Sequence, residues 1–140
     1  MTTEGFVADA SIAVAWSVAA QSNRGMDDLL EQVAEGRPFC VPGLWFFETA
    51  NALLVLTRRK RITTRECAIA RRALAALHPV VDDEGPRIAF EKVSDLAAEH
   101  SLSVYDAAYL ELALRTKLPL ASLDSGLNKA AQRCAVPLLP

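Results

Sequence analysis

The sequence predicts an α/β fold with a mainly parallel sheet. Short apolar runs of strand length alternate with longer segments of helical periodicity, the pattern of strand–helix–strand units. No internal repeat or low-complexity segment interrupts that alternation. With 140 residues, near the commonest domain size, the chain is expected to form a single domain over residues 1–140. Half of it is apolar (51%) and 23% is charged, which suffices for one sizeable core.

Taken in order, Phe6-Val7-Ala8 reads as a first strand, followed by a helix from about Ile12 to Ala20. A second helix is expected from about Asn23 to Glu35, stopped by Gly36 where helices often end. Phe39-Cys40-Val41 reads as the second strand, and Pro42-Gly43 turns the chain into a long helix from about Leu44 to Arg58. Thr63-Thr64-Arg65-Glu66 is a capping-box pattern opening a helix whose Ala70, Ala73, Leu74 and Leu77 form one apolar stripe. Pro79-Val80-Val81-Asp82 reads as a short strand, and Asp82-Asp83-Glu84 as a solvated turn. Pro86 then opens a helix with Ala89, Phe90, Val93, Leu96 and Ala97 on its inner face. Ser103 caps a nearly all-apolar helix running to about Arg115. Pro119-Leu120-Ala121-Ser122 reads as a fourth strand, Ser125 to Cys134 as a last helix, and Val136 to Leu139 as a terminal edge strand, where a proline is tolerated.

Composition narrows the function classes. No apolar run reaches the roughly 18 residues of a membrane span, and Phe6 to Ala20 lacks a basic leader, so neither a span nor a signal peptide is expected. Cys40, Cys67 and Cys134 are far apart and form no C-x-x-C pair, which supports neither a zinc site nor a disulfide framework. Cys40 reads as a buried, inert thiol, and a reducing cytoplasm fits this usage. The net charge of −2 argues against a general electrostatic coat for nucleic acid. Phosphate-binding and serine-hydrolase motifs are absent.

Four carboxylates stand out. In open parallel sheets ligands sit outside the carboxyl ends of the strands. Asp9 ends the first strand and Asp124 the fourth, while Glu48 lies in the second turn of the helix after the second strand. Asp106 lies in the first turn of the helix capped by Ser103 and is able to reach the same edge. Helix capping is a sufficient structural role for Asp9, Asp106 and Asp124 taken singly. Glu48 is different, because its helix is apolar on almost every side and is expected to be largely buried. An ionised Glu there costs several kcal/mol unless an arginine or a bound cation compensates it. Carboxylates that converge resist joint ionisation, and a divalent cation removes that penalty. Oxygen ligands without His or Cys select Mg²⁺, Mn²⁺ or Ca²⁺ over zinc. Ser11, Asn51 and Ser122 are candidate neutral donors around such a cation.

The segments Val7-Ala8-Asp9-Ala10-Ser11, Glu48-Thr49-Ala50-Asn51-Ala52-Leu53, Tyr105-Asp106-Ala107-Ala108-Tyr109-Leu110-Glu111-Leu112-Ala113 and Ala121-Ser122-Leu123-Asp124-Ser125-Gly126-Leu127 together resemble the PIN-domain nucleases, specifically the toxins of bacterial VapBC toxin–antitoxin pairs. The resemblance covers essentially the whole chain. It implies a three-layer α/β/α sandwich and an Mg²⁺- or Mn²⁺-dependent ribonuclease. Asp9, Glu48, Asp106 and Asp124 would hold the metal, with Ser11 and Ser122 beside it, and Ser122 stands where relatives more often carry threonine. It also implies a homodimer silenced by an antitoxin.

The remaining candidates lie outside that pattern. Arg58, Arg59, Lys60, Arg61, Arg65, Arg71 and Arg72 are seven of fifteen basic residues in one short stretch, suited to an RNA backbone or an acidic antitoxin tail, and equally to a solvated helix end. Trp16, Trp45, Phe46 and Phe47 are able to stack on bases, but fit core or dimer packing better. His78 and His100 read as helix-end residues. Three other functions are compatible with the sequence: a housekeeping or DNA-directed nuclease with the same metal chemistry, a non-catalytic RNA- or protein-binding module of the same fold, and a phosphoacceptor domain, against which Ser11 stands where a second Asp is needed.

Overall fold

The computed structural model describes residues 4–139. Its centre is β1 (Phe6–Ala8), whose three residues are fully buried because strands pair on both sides of it. The other strands are β2 (Phe39–Pro42), β3 (Val80–Asp82), β4 (Leu120–Ala121) and β5 (Leu138–Leu139). Every pairing is parallel, with Phe6 opposite Phe39 and Ala8 opposite Ala121, and the sheet order is β3-β2-β1-β4-β5.

Helices supply both outer layers. They are α1 (Ala10–Ser17), α2 (Arg24–Ala34), α3 (Leu44–Arg58) and α4 (Thr64–Ala75), which pack on one another. The others are α5 (Gly85–Ile88), α6 (Ser94–His100), α7 (Val104–Thr116) and α8 (Ser125–Arg133), with α7 against β1, β2 and β4 and also against α6 and α8. The expected α/β/α sandwich with a parallel sheet is what forms. No helix among the described residues is long and apolar enough to cross a membrane. The largest buried side chains include Phe6, Phe39, Trp45, Tyr109 and Leu110. Phe6, Trp16, Phe39 and Trp45 join edge to face or stacked at 5.3–6.3 Å, a geometry aromatic pairs prefer. Both tryptophans thus serve the core.

The capping signals act as read. Thr63 and Glu66 form a reciprocal capping box (3.0 and 2.9 Å), and Ser103 Oγ accepts from Asp106 N at 3.0 Å. Elsewhere the structure differs from the sequence reading. The first helix begins at Ala10, two residues earlier than expected, because Asp9 caps it, and a 3₁₀ turn at Ala19–Gln21 replaces its last expected turn. The helix opened by Pro86 is broken by a π turn over Ala89–Val93, where Ser94 Oγ donates to Ala89 O at 2.6 Å. The wider turn rotates the following residues, so Phe90, expected inside, is 93% exposed. Ala73 is exposed although Ala70 and Leu74 of its stripe are buried. Helix α3 is not buried all round: Trp45, Thr49 and Leu53 face the core, while Phe46, Phe47 and Leu54 are exposed. Its composition is apolar on every side, but only one face meets the sheet. Cys40 is half-buried, and burial pushes its thiol pKa up, which keeps it protonated. Asp82 is no solvated turn residue, since it ends β3 and takes a two-pronged ion pair from Arg115 (2.9 Å each).

Candidate functional site

In this sheet the chain steps outward from β1 through β2 to β3, then crosses back to β4 and β5. The reversal lies between β1 and β4, and the crevice outside the carboxyl ends of such strands is where open α/β sheets bind ligands. Asp9 follows β1 directly and Ser122 follows β4 directly. That neighbourhood is built from strand ends that both lead into helix starts.

Asp9 is buried, and both of its oxygens are engaged. Oδ1 accepts from Ser11 Oγ at 2.5 Å and from Ile12 N at 3.2 Å, and Oδ2 accepts from Ser122 Oγ. The two hydroxyls each accept a bond in turn, Ser11 from Leu123 N (2.9 Å) and Ser122 from Asp124 N (3.0 Å). Ser11 and Ser122 therefore stitch the end of β1 to the loop that carries Asp124. Asp124 caps α8 through Oδ2, which accepts from Leu127 N at 2.8 Å. Asn128 Nδ2 donates to Ser122 O at 2.9 Å and closes the loop from the other side.

Glu48 and Asp106 approach from α3 and α7, and both are half-buried. Glu48 takes no arginine partner. Its Oε1 accepts from the hydroxyl of Tyr109 at 2.7 Å, a buried residue whose phenol is held protonated by burial and by Glu48. The pKa of Asp9 is raised, first by burial and further by Asp106. That of Glu48 is raised by burial, then by Asp106 and Asp9. That of Asp106 is raised by burial, then by Asp124. The groups that pull these values down are hydroxyls and one backbone amide, with no Lys or Arg among them. Four carboxylates from four segments thus share one electrostatic neighbourhood, and no Lys or Arg among the described residues compensates the three whose pKa is raised.

The donor set has the chemistry of a hard-cation site: carboxylates and hydroxyls, with no His or Cys. Among the described residues, no three or more His, Cys, Asp or Glu side chains are drawn tightly enough to hold a metal ion by themselves. Asn51 is exposed, one turn beyond Glu48 on α3, and is not gathered into this hydrogen-bonded network. Tyr109 and Asn128 belong to it although sequence reasoning did not single them out. Tyr109 was findable in principle, since it lies three residues after Asp106 on the same helix face. His78 is exposed, and His100 ends α6 beside Cys134 Sγ at 3.3 Å, so neither belongs to the site.

An α/β sandwich with carboxylates gathered at the switch point of a parallel sheet defines a class of acidic-site proteins. The model of the PIN domain matches residues 6–133, nearly the whole chain, and the protein belongs to that family. No curated protein matches the sequence. Among solved structures, PAE2754 from Pyrobaculum aerophilum is similar with a TM-score of 0.68 and 24% identity, covering 90% of this chain and 85% of its own. FitAcB from Neisseria gonorrhoeae is similar with a TM-score of 0.64 and 14% identity, covering 96% of each. At these identities the likeness is one of fold.

Proposed function

We propose that this protein is a metal-dependent endoribonuclease, the VapC-type toxin of a toxin–antitoxin pair, in which Asp9, Glu48, Asp106 and Asp124 hold Mg²⁺ or Mn²⁺. PIN domains are typically nucleases, and this chain keeps all four acids. The observation that carries the reading is the convergence of carboxylates from β1, α3, α7 and the β4–α8 loop at the switch point of the sheet, where burial first and neighbouring carboxylates second raise the pKa values of Asp9, Glu48 and Asp106. A divalent cation bound there would supply a water of lowered pKa and charge stabilisation for a phosphodiester.

The chain's own residues set the geometry. Ser11, Ser122 and the Ile12 amide fix Asp9 in one orientation, so its carboxylate is preorganised. Tyr109 does the same for Glu48 and, remaining protonated, leaves the negative charge on the carboxylate. Ser11, Ser122 and Asn51 are the neutral donors proposed around the cation, the first two through their bonds to Asp9. As partners we propose RNA as substrate, a cognate antitoxin and a second copy of the chain in a homodimer. The reading includes a single domain over residues 1–140 and a cytoplasmic location, which suits three unpaired cysteines.

One observation favours a second reading, an interaction module. A groove of about 470 Å³ lies between α3, α5 and α7, lined by Phe47, Val93, Val104 and Tyr105 among others, and it is almost wholly apolar. Cleavage of total RNA by Asp9→Asn and Asp106→Asn separates the two. Each variant is expected to lose at least about a hundredfold in rate while remaining folded, because Asn keeps the cap at position 9. Retained activity in both variants would sink the assignment.

A further inference from the structure

We propose that a single-stranded RNA leaves the acid cluster along α3, and that Arg59 and Arg61 hold its backbone a few nucleotides from the cut. This rests on the nuclease reading above and extends it to the path of the substrate. Glu48, Ala52 and Val55 follow one another at i, i+4 and i+7 along one line of α3, and Arg59 is the residue that caps the far end of that helix. At 1.5 Å per residue Arg59 stands about 16 Å beyond Glu48. A groove of about 390 Å³ occupies the interval, lined by Ser11, Gln21, Ala52, Val55, Leu56 and Leu123. Ser11, at its inner end, is one of the two hydroxyls that donate to Asp9. At its outer end Leu56 O accepts from Arg61 N at 2.9 Å, and a second, more polar hollow begins, lined by Thr57, Lys60, Arg61 and Thr63 among others.

The charges fit a polyanion. A protein of net charge −2 offers a polyanion little overall attraction, so affinity for RNA beyond the metal site comes from local cations. Arg58, Arg59, Lys60 and Arg61 form no ion pair among the described residues. The one acid of the stretch, Glu66, turns its carboxylate to the Thr63 amide in its own cap. The basic stretch also divides: Arg71 lines a different cleft with Trp45 and Phe46, whereas Arg59 caps the end of α3 and Arg61 lines the hollow beyond it. The apolar lining between the two ends suits unstacked bases, which a duplex does not present.

The test measures KM, kcat and salt-dependent binding for labelled single-stranded RNA oligonucleotides lengthened stepwise on either side of the mapped cut. Wild type, Arg59→Gln/Arg61→Gln and the control Lys129→Gln are compared, with thermal melts to verify folding. Wild type is expected to gain affinity when the strand grows a few nucleotides on one side only. The double variant is expected to lose that gain, about tenfold in KM with little change in kcat, and to flatten the log–log salt slope by about 1.4, roughly 0.7 for each of two phosphates. The control is expected to match wild type. Equal KM and salt slope in wild type and double variant overturn the proposal. So does unchanged RNA binding with lost binding of polyglutamate, which assigns the patch to an acidic protein tail. Arginine-dependent, length-dependent binding without cleavage keeps the path and overturns the nuclease reading instead.

Discussion

Asp9 combines two duties that sequence analysis treats as alternatives. Its Oδ1 caps α1, and the same carboxylate anchors Ser11 and Ser122 and lies within electrostatic reach of Glu48 and Asp106. Asp124 likewise caps α8 while raising the pKa of Asp106. Capping and site-building coincide because helices that follow parallel strands begin at the carboxyl edge of the sheet. The acids were legible for that reason: Asp and Glu at strand ends and in first or second helix turns can be read from periodicity. The partner of Glu48 was not, because a hydroxyl 61 positions away meets it only through the packing of α3 on α7. A prediction follows for Glu48→Gln, whose amide oxygen still accepts from Tyr109. The folded pKa of Glu48 lies above the ordinary value of about 4.3, so between the two values the folded state binds the extra proton. Stability of the metal-free protein therefore falls as pH rises through that window, and the penalty persists above it. Melts in EDTA are expected to show Glu48→Gln more stable than wild type at neutral pH, with the difference shrinking towards pH 4. A variant less stable at neutral pH contradicts this.

Among the elements, legibility tracked how local the deciding interaction is. The capping box at Thr63 and the cap at Ser103 were readable because both partners lie within three residues. The π turn at Ala89–Val93 was not, since periodicity assumes a regular helix and a single wide turn shifts the phase of Phe90. The exposure of α3 was misjudged because its residues suit burial everywhere, and only the tertiary packing selects the face of Trp45, Thr49 and Leu53. Helix ends offer an engineering test. Ala135, just after α8, has φ +59°, in the left-handed region that disfavours any side chain. Ala135→Gly relieves a cost of about 1–2 kcal/mol and adds about 0.5–1 kcal/mol of unfolded-state entropy. Urea unfolding is expected to show a net gain of about 0.5–1 kcal/mol. A loss of stability would mean that the turn carries no such strain.

On the scale of the molecule, the α/β class and the parallel character of the sheet followed from the alternation of elements, but the strand order did not. Order β3-β2-β1-β4-β5 depends on which buried runs pair, and Val7, Cys40 and Leu120 differ too little in type to encode it. That order nevertheless decides the function proposed here, because it puts β1 beside β4 and so brings Asp9 to Ser122. The same long-range logic explains Asp82, whose bond to Arg115 ties the end of β3 to α7 over 33 positions. As proposed, this junction cuts RNA with a divalent cation held by carboxylates. The most direct test is cleavage of single-stranded RNA by the purified, antitoxin-free protein, first stripped in EDTA and then titrated with Mn²⁺ or Mg²⁺. No cutting is expected in EDTA, with saturable recovery on adding either cation. Undiminished cutting in EDTA, or none at any metal concentration by folded protein, would contradict the proposal.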